Sequence, residues 1–247
     1  MRTFGLIGYP LTHSFSKKYF TEQFEQQGIA DCKYELFPLE DIGGIAPLIR
    51  GDISLSGLNV TIPHKVNVMP YLHELDDAAA KIGAVNCIAI LRRDDKAWLK
   101  GYNTDAFGFA ESLKPFLKVN HTHALILGDG GAARAVKYVL DQLGISFLTV
   151  VRTAVSGTIT YEQISEELMN THQLIINTTP LGTFPNVEAS PAIPYHLMTA
   201  DHLAYDLVYN PEVTAFLQQA KAQGAAIKNG LEMLHLQAER SWFIWNA

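Results

Sequence analysis

Between His123 and Arg152 the apolar positions change period twice. Ala124-Leu125-Ile126-Leu127 is a continuous apolar run of strand length, and beyond Gly128-Asp129-Gly130-Gly131 the apolar residues recur as Ala132, Ala135, Val136, Val139, Leu140 and Leu143. Spacings of three and four place these on one stripe of a helix. Gly144 stands where a left-handed C-cap ends such a helix, and Ile145 to Val151 is again rich in β-formers. The pattern predicts strand, glycine loop, helix, strand. A looser copy follows, with strands at Leu174 to Asn177 and His202 to Asp206 and a helix from Glu212 to Gln223, which Gly224 ends.

The first hundred residues alternate in the same way. Phe4 to Gly8, Tyr34 to Phe37 and Gly57 to Val60 read as strands, Phe15 to Gln27 as a helix, and a further helix is expected after Pro63. A joint falls near Tyr102 to Gly108, before a helix around Phe109 to Leu117. Gly230 to Trp245 closes the chain as a helix whose Trp242, Phe243 and Trp245 are expected to pack inside. Strands alternating with helices predict the α/β class, here as two α/β domains with a boundary near Asn103.

Composition narrows the function. The chain has 247 residues, 48% hydrophobic and 18% charged, with a formal net charge of -6. Its basic doublets are Lys17-Lys18 and Arg92-Arg93, too few for a phosphate-neutralising stripe, so no nucleic-acid partner is expected. No apolar run approaches the roughly 18 residues a bilayer requires, and the apolar start lacks a cleavage site, so neither a membrane nor export is expected and the setting reads as cytoplasmic. Cys32 and Cys87 have no Cys or His at ligand spacing, which excludes a disulfide scaffold and leaves no expected metal. No His-Glu-x-x-His, Walker-type loop or Gly-x-Ser-x-Gly elbow occurs.

The glycine loop is where chemistry enters. In Gly128-x-Gly130-Gly131-x-Ala133 the first glycine permits the turn, the second lets backbone approach a pyrophosphate, and Ala133 permits close helix packing, so the loop predicts dinucleotide binding. Its alternative is a tight turn with no ligand. Asp129 is expected to point away from the phosphates. The second strand ends in Val151-Arg152-Thr153, with no acid to hold a ribose 2′-hydroxyl, which favours NADP over NAD; a solvated Arg152 is the other reading.

In Asn59-Val60-Thr61-Ile62-Pro63-His64-Lys65, a lysine in a first helical turn opposes the macrodipole, an unfavourable placement that suggests function unless Lys65 is merely surface. Asp105, in Gly101 to Gly108, also reads as a helix cap. Ser14 and Ser16 suit either a small carboxylate or helix capping, while His13 and His64 read as loop packing.

Taken together, Gly8 to Ser16, Asn59 to Lys65, Ala84-Val85-Asn86, Asn103-Thr104-Asp105, Gly128 to Ala135, Arg152-Thr153, Tyr205 to Tyr209 and Gly230 to Gln237 resemble the shikimate dehydrogenase family, in order and along almost the whole chain. The resemblance implies a substrate domain at 1–103 joined by the C-terminal helix 230–247, a Rossmann-like NADP domain at 104–229, and NADPH-dependent reduction of 3-dehydroshikimate to shikimate in aromatic amino acid (chorismate) biosynthesis. It implies that Ser14 and Ser16 bind the substrate carboxylate and that Thr61, Lys65, Asn86, Asp105 and Gln237 bind its hydroxyls, with Tyr209 close by. Lys65 and Asp105 become the catalytic pair. Gly128, Gly130, Gly131, Ala132 and Ala133 take the pyrophosphate, Arg152 and Thr153 the 2′-phosphate, Leu207, Gly230 and Met233 the nicotinamide side, and Asp77 a place near the cofactor. The expected partner is a small-molecule substrate, the assembly a monomer or homodimer. Departures are Lys17 for the family's common Pro, Val151 for Asn, Cys87 for Thr, and a short stretch between Thr153 and Tyr161. The alternatives are a quinate/shikimate dehydrogenase using NAD, and a non-catalytic cofactor-binding module.

Overall fold

Arg2–Gly8 (β1) is apolar on both faces and buried along almost its whole length, as an interior strand must be. The computed structural model describes residues 1–11, 15–93 and 96–247. The chain divides into two units, Met1–Thr104 with Ala238–Ala247, and Asp105–Gln237. In the first, β1 is followed by α1 (Phe15–Gln26), β2 (Cys32–Pro38), α2 (Ile45–Gly51), β3 (Leu55–Val60), α3 (His64–Asn67), β4 (Glu74–Leu75), α4 (Asp77–Ile82), β5 (Cys87–Arg93) and β6 (Lys96–Tyr102). The sheet runs β2-β1-β3-β5-β6-β4, with β1 parallel to β2 and β3, and β5 antiparallel to β3 and β6. The strand period of two sends Phe4 and Leu6 into one core with Phe20, Phe24 and Tyr34, and Ile7 into another with Ile45, Leu55 and Leu58.

The second unit contains α5 (Thr104–Leu113, shared at its first residue), β7 (His123–Leu127), α6 (Gly131–Gln142), β8 (Ser146–Val151), β9 (Thr158–Thr160), α7 (Glu166–Thr171), β10 (Leu174–Asn177), β11 (Leu203–Asp206), α8 (Ala215–Ala222), β12 (Ala226–Lys228) and the start of α9 (Leu231–Trp245). All its strand pairs are parallel, in the order β12-β11-β10-β7-β8-β9. Strand order reverses between β7 and β10, and that switch point is where ligands sit in doubly wound sheets.

Several expected elements shift for identifiable reasons. The helix expected around Phe109 to Leu117 begins at Thr104, whose N–H donates to Asn86 Oδ1 at 2.6 Å, and its regular turns end before Pro115, which cannot continue them. Asp105 is therefore inside the first turn rather than its cap. The helix expected from Glu212 starts at Ala215 because Thr214 caps it, accepting from Leu217 N–H at 3.3 Å. On α9, Trp245 is buried and stacks on Phe4 at 4.8 Å, and its indole occupies the space a side chain on Gly57 would need. Phe243 departs from expectation. At 60% exposed it lies off the buried stripe formed by Ala238, Ser241 and Trp245, with the Arg240 guanidinium 4.9 Å from its ring.

Three histidines of the second unit, His121, His172 and His202, are buried, and burial holds the pKa of each below 6.5. His202 Nδ1 accepts from Thr199 N–H at 3.0 Å and Nε2 donates to the Met169 carbonyl at 3.0 Å, a pairing that only the neutral ring makes. A base with a lowered folded-state pKa stabilises above its unfolded value and loses that contribution as pH falls. His202→Asn is accordingly expected to cost roughly 1–3 kcal/mol at about pH 8, with the gap to wild type narrowing below 6.5. Urea unfolding across pH tests this, and a constant gap contradicts it.

Candidate active site

The first unit ties several of the expected substrate residues into one buried polar chain. Ser16, in the first turn of α1, hydrogen-bonds the Tyr34 phenol, whose pKa burial pushes well up. Tyr34 donates to Asn59 Oδ1 at 2.8 Å, and Asn59 Nδ2 donates to Ser241 Oγ at 3.0 Å. Ser241 Oγ lies 3.2 Å from Thr104 Oγ1, which accepts from Asn86 Nδ2 at 2.9 Å. Every member from Tyr34 to Asn86 is buried, so none of these bonds competes with water. Tyr34, Asn59 and Ser241 are additions to the expected set. Ser241 stands four residues after Gln237 on one helix and so shares a face with that expected residue, while Asn59 lies near the end of β3, just before Thr61.

Thr61 follows β3, its N–H donating to the Ile7 carbonyl at 2.9 Å, and its methyl fills the space over Gly8. Lys65 is half-buried in α3, and its carbonyl accepts from Val85 N–H at 2.7 Å, one residue before Asn86. The macrodipole opposes Lys65 little here, because α3 has four residues and Pro63 precedes it at the cap position without a capping bond. His64 is buried, with Nε2 2.6 Å from the Leu39 carbonyl, in keeping with packing. Asp77 opens α4, capped by Asp76. Lys17, where the family commonly has Pro, pairs with Glu35 at 2.9 Å. Ser14, with Thr12 and His13, lies outside the described residues.

In the second unit Asp105 carries a negative charge into the first turn of α5, next to the positive end of that helix. Gly108 meets the α9 backbone at Met233 and Gln237, an approach that no side chain at 108 would allow. Gln237 is buried and donates to the Leu234 carbonyl at 2.9 Å. Tyr209 is partly exposed, its phenol pKa raised by burial. Leu207 packs its carbonyl against Gly230, leaving no room for a β-carbon there.

The glycine loop lies at the switch point. Gly128 has φ +102°, and a β-carbon on it would strike the Thr179 methyl at 2.9 Å and Thr178 Oγ1 at 3.0 Å. Thr178 and Thr179 were not anticipated, because only the β7–β10 pairing brings them to this loop. Gly130 caps α6 with no side-chain bond, and β-carbons on Gly130 or Gly131 would meet nothing within 4 Å. Ala133 is fully buried beneath, while Ala132 is half-exposed. Asp129 accepts from Lys137 at 2.6 Å, so its charge is paired. Gly128 N–H donates to the Val150 carbonyl at 2.8 Å, which puts Arg152 and Thr153 just past the strand beside the loop, both exposed, with the Arg152 charge acting on Tyr161. An open cradle of backbone donors at a helix start, flanked by a guanidinium, fits a dinucleotide with a phosphorylated ribose. Among the described residues no cluster of His, Cys, Asp or Glu suits a metal ion, and no helix is long and apolar enough to cross a membrane.

A doubly wound parallel sheet with this loop defines a Rossmann-type dinucleotide-binding α/β protein, here carrying a second, mixed-sheet unit. Residues 6–88 match the model of the shikimate dehydrogenase substrate binding domain. A shikimate dehydrogenase (NADP(+)) of Desulforamulus reducens is 34% identical over 98% of this chain and 88% of its own. The structure of the Thermus thermophilus shikimate 5-dehydrogenase in complex with NADP(H) and shikimate superposes with a TM-score of 0.84 at 32% identity, covering 99% of this chain and 92% of that one. A 5-ketofructose reductase of Gluconobacter shares the fold at a TM-score of 0.83 and 29% identity, covering 99% and 92%. The chain belongs to the shikimate dehydrogenase family.

Proposed function

We propose that this protein is an NADP-dependent oxidoreductase acting on a CH–OH group, reversibly reducing 3-dehydroshikimate to shikimate in chorismate biosynthesis. The observation that carries this reading is whole-chain likeness to NADP(+)-dependent shikimate dehydrogenases in a sequence that retains Lys65, Asp105 and the glycine loop together. Met1–Thr104 with the end of α9 serves as the substrate unit and Asp105–Gln237 as the cofactor unit. The enzyme works in the cytoplasm, as a monomer or homodimer.

The cofactor is held by Gly128, Gly130, Gly131, Ala132 and Ala133 at its pyrophosphate, by Arg152 and Thr153 at its 2′-phosphate, and by Leu207, Gly230 and Met233 at its nicotinamide, with Asp77 nearby. When bound it supplies the hydride. Ser14 and Ser16 donate to the substrate carboxylate, and Thr61, Asn86, Gln237 and Tyr209 orient its ring. As the carbonyl becomes an alcohol, the Lys65 ammonium donates to the oxygen and gives it a proton, while Asp105 accepts from the neighbouring hydroxyl. Asn86 and Thr104, inside the buried chain, and Ser16 at its end are held by hydrogen bonds that leave them little freedom to lose, which supports this reading.

Steady-state assays following the near-ultraviolet absorbance of reduced nicotinamide, with shikimate, quinate or 5-ketofructose against NADP or NAD, test the reading. The expected result is the highest kcat/KM with shikimate and NADP. A preference for quinate with NAD, or cofactor binding without turnover, overturns it.

A further inference from the structure

Asp206 ends β11 and is fully buried, an expensive place for an acid. Its Oδ1 accepts from Asn177 Nδ2 at 2.9 Å and from Val208 N–H at 3.0 Å, and its Oδ2 accepts from the Thr214 hydroxyl at 2.5 Å. Each arm leads onward. Asn177 Oδ1 accepts from Thr179 N–H and hydroxyl at 3.0 and 2.6 Å, and Thr179 is the residue packed on Gly128. The Val208 carbonyl accepts from Gly230 N–H at 3.2 Å, with Leu207 pressed against the same glycine. Thr214 is the cap of α8. A single carboxylate therefore joins the glycine loop, by way of Asn177 and Thr179, to the Leu207–Gly230 contact.

Resting on the cofactor reading above, we propose that Asp206 is a positioning residue for the dinucleotide, setting the glycine loop and the Leu207–Gly230 contact relative to each other from beneath. It touches neither substrate nor cofactor. Its three partners, Asn177 Nδ2, Val208 N–H and the Thr214 hydroxyl, all donate to the carboxylate, and replacing one of them leaves a buried polar group unmatched.

Ionisation of the same group gives a signature that a plain core residue lacks. Burial pushes the Asp206 carboxyl up to about 6, against Thr214, Val208 and Asn177, which pull it down. The titratable group whose charge acts with it is the half-buried Tyr195 phenol, pushed up to about 12 chiefly by burial. Below about 6 a proton on Oδ2 must be donated to Thr214 Oγ1, which already receives Leu217 N–H, and the Thr214 hydroxyl loses its acceptor. The brace is then intact at neutral pH and weakened in acid.

The test titrates NADPH onto the intact protein, by nicotinamide fluorescence, from about pH 5 to about pH 8, with melting temperatures in the same buffers. Wild type is expected to lose NADPH affinity several-fold as pH falls through about 6. Asp206→Asn keeps Oδ1 and donates from Nδ2, mimicking the protonated acid. It is expected to bind NADPH about 10-fold more weakly near pH 8 and to converge with wild type at low pH. Its NADPH KM should rise while kcat and the shikimate KM stay within a few-fold. Thr214→Val removes the strongest downward pull and should move the acid limb to higher pH. Titration of the cofactor's own phosphate is common to all three proteins and cancels in the ratios. Equal NADPH affinity at every pH with only a lower melting temperature makes Asp206 a folding residue and overturns the positioning role. If Asp206→Asn does not fold, a Thr214→Val profile superimposable on wild type does the same. Wild type that binds no NADPH refutes the cofactor reading instead.

Discussion

Lys65→Ala is expected to lower kcat by about 10² to 10⁴, with the shikimate KM within a few-fold of wild type. The asymmetry follows from when the charge is needed. The ground-state carbonyl oxygen is nearly neutral, and the oxygen becomes basic only as it gains the hydride, so the ammonium stabilises the transition state far more than the bound substrate. Lys65 is half-buried, and its carbonyl accepts from Val85 N–H. Alanine keeps that bond, so the melting temperature should hardly move. Steady-state kinetics beside a thermal melt separate the two effects, and near-parental kcat would return Lys65 to the surface.

Arg152→Ala is expected to weaken NADP by about 10- to 100-fold, the scale of a hydrogen bond to a charged group, while NAD binding changes little. Arg152 is exposed and lies one residue past β8, beside the glycine loop. Its guanidinium can meet a ribose 2′-phosphate but gains nothing from a 2′-hydroxyl. Added salt should weaken NADP more than NAD in wild type and erase that difference in the variant. Because Val151 stands where the family usually has Asn, the wild-type preference for NADP should be smaller than in relatives that keep the amide. Isothermal titration of both cofactors at two ionic strengths decides the matter. Equal loss of NADP and NAD would show that Arg152 supports the loop rather than reading the phosphate.

Read along the chain, β7, the glycine loop, α6 and β8 were legible because each depends on local rules, a period of two or 3.6 and a glycine where backbone must turn. The antiparallel pair β5 and β6 was not, since Cys87–Arg93 is buried in its first half and turned outward in its second, a pattern set by which strands neighbour it. The start of α5 lies earlier than its local pattern predicts for a similar reason. Gly108 argues locally against a helix, and only the approach of α9 explains why nothing larger fits there. Motif order in the sequence marked Ser16, Lys65, Asn86, Asp105 and Arg152, but their chemistry depends on groups far away in sequence. Ser16 is 225 residues from Ser241, yet the two are joined through Tyr34 and Asn59. The class of fold was legible along the chain because helix and strand periodicity are local properties, and residue type with motif order is what nominates Lys65 and Asp105 for the proposed chemistry. Tertiary structure alone decided which polar groups are buried together, as at Asp206, Asn177 and Thr214, because the cost of burying a charge is settled by what packs around it.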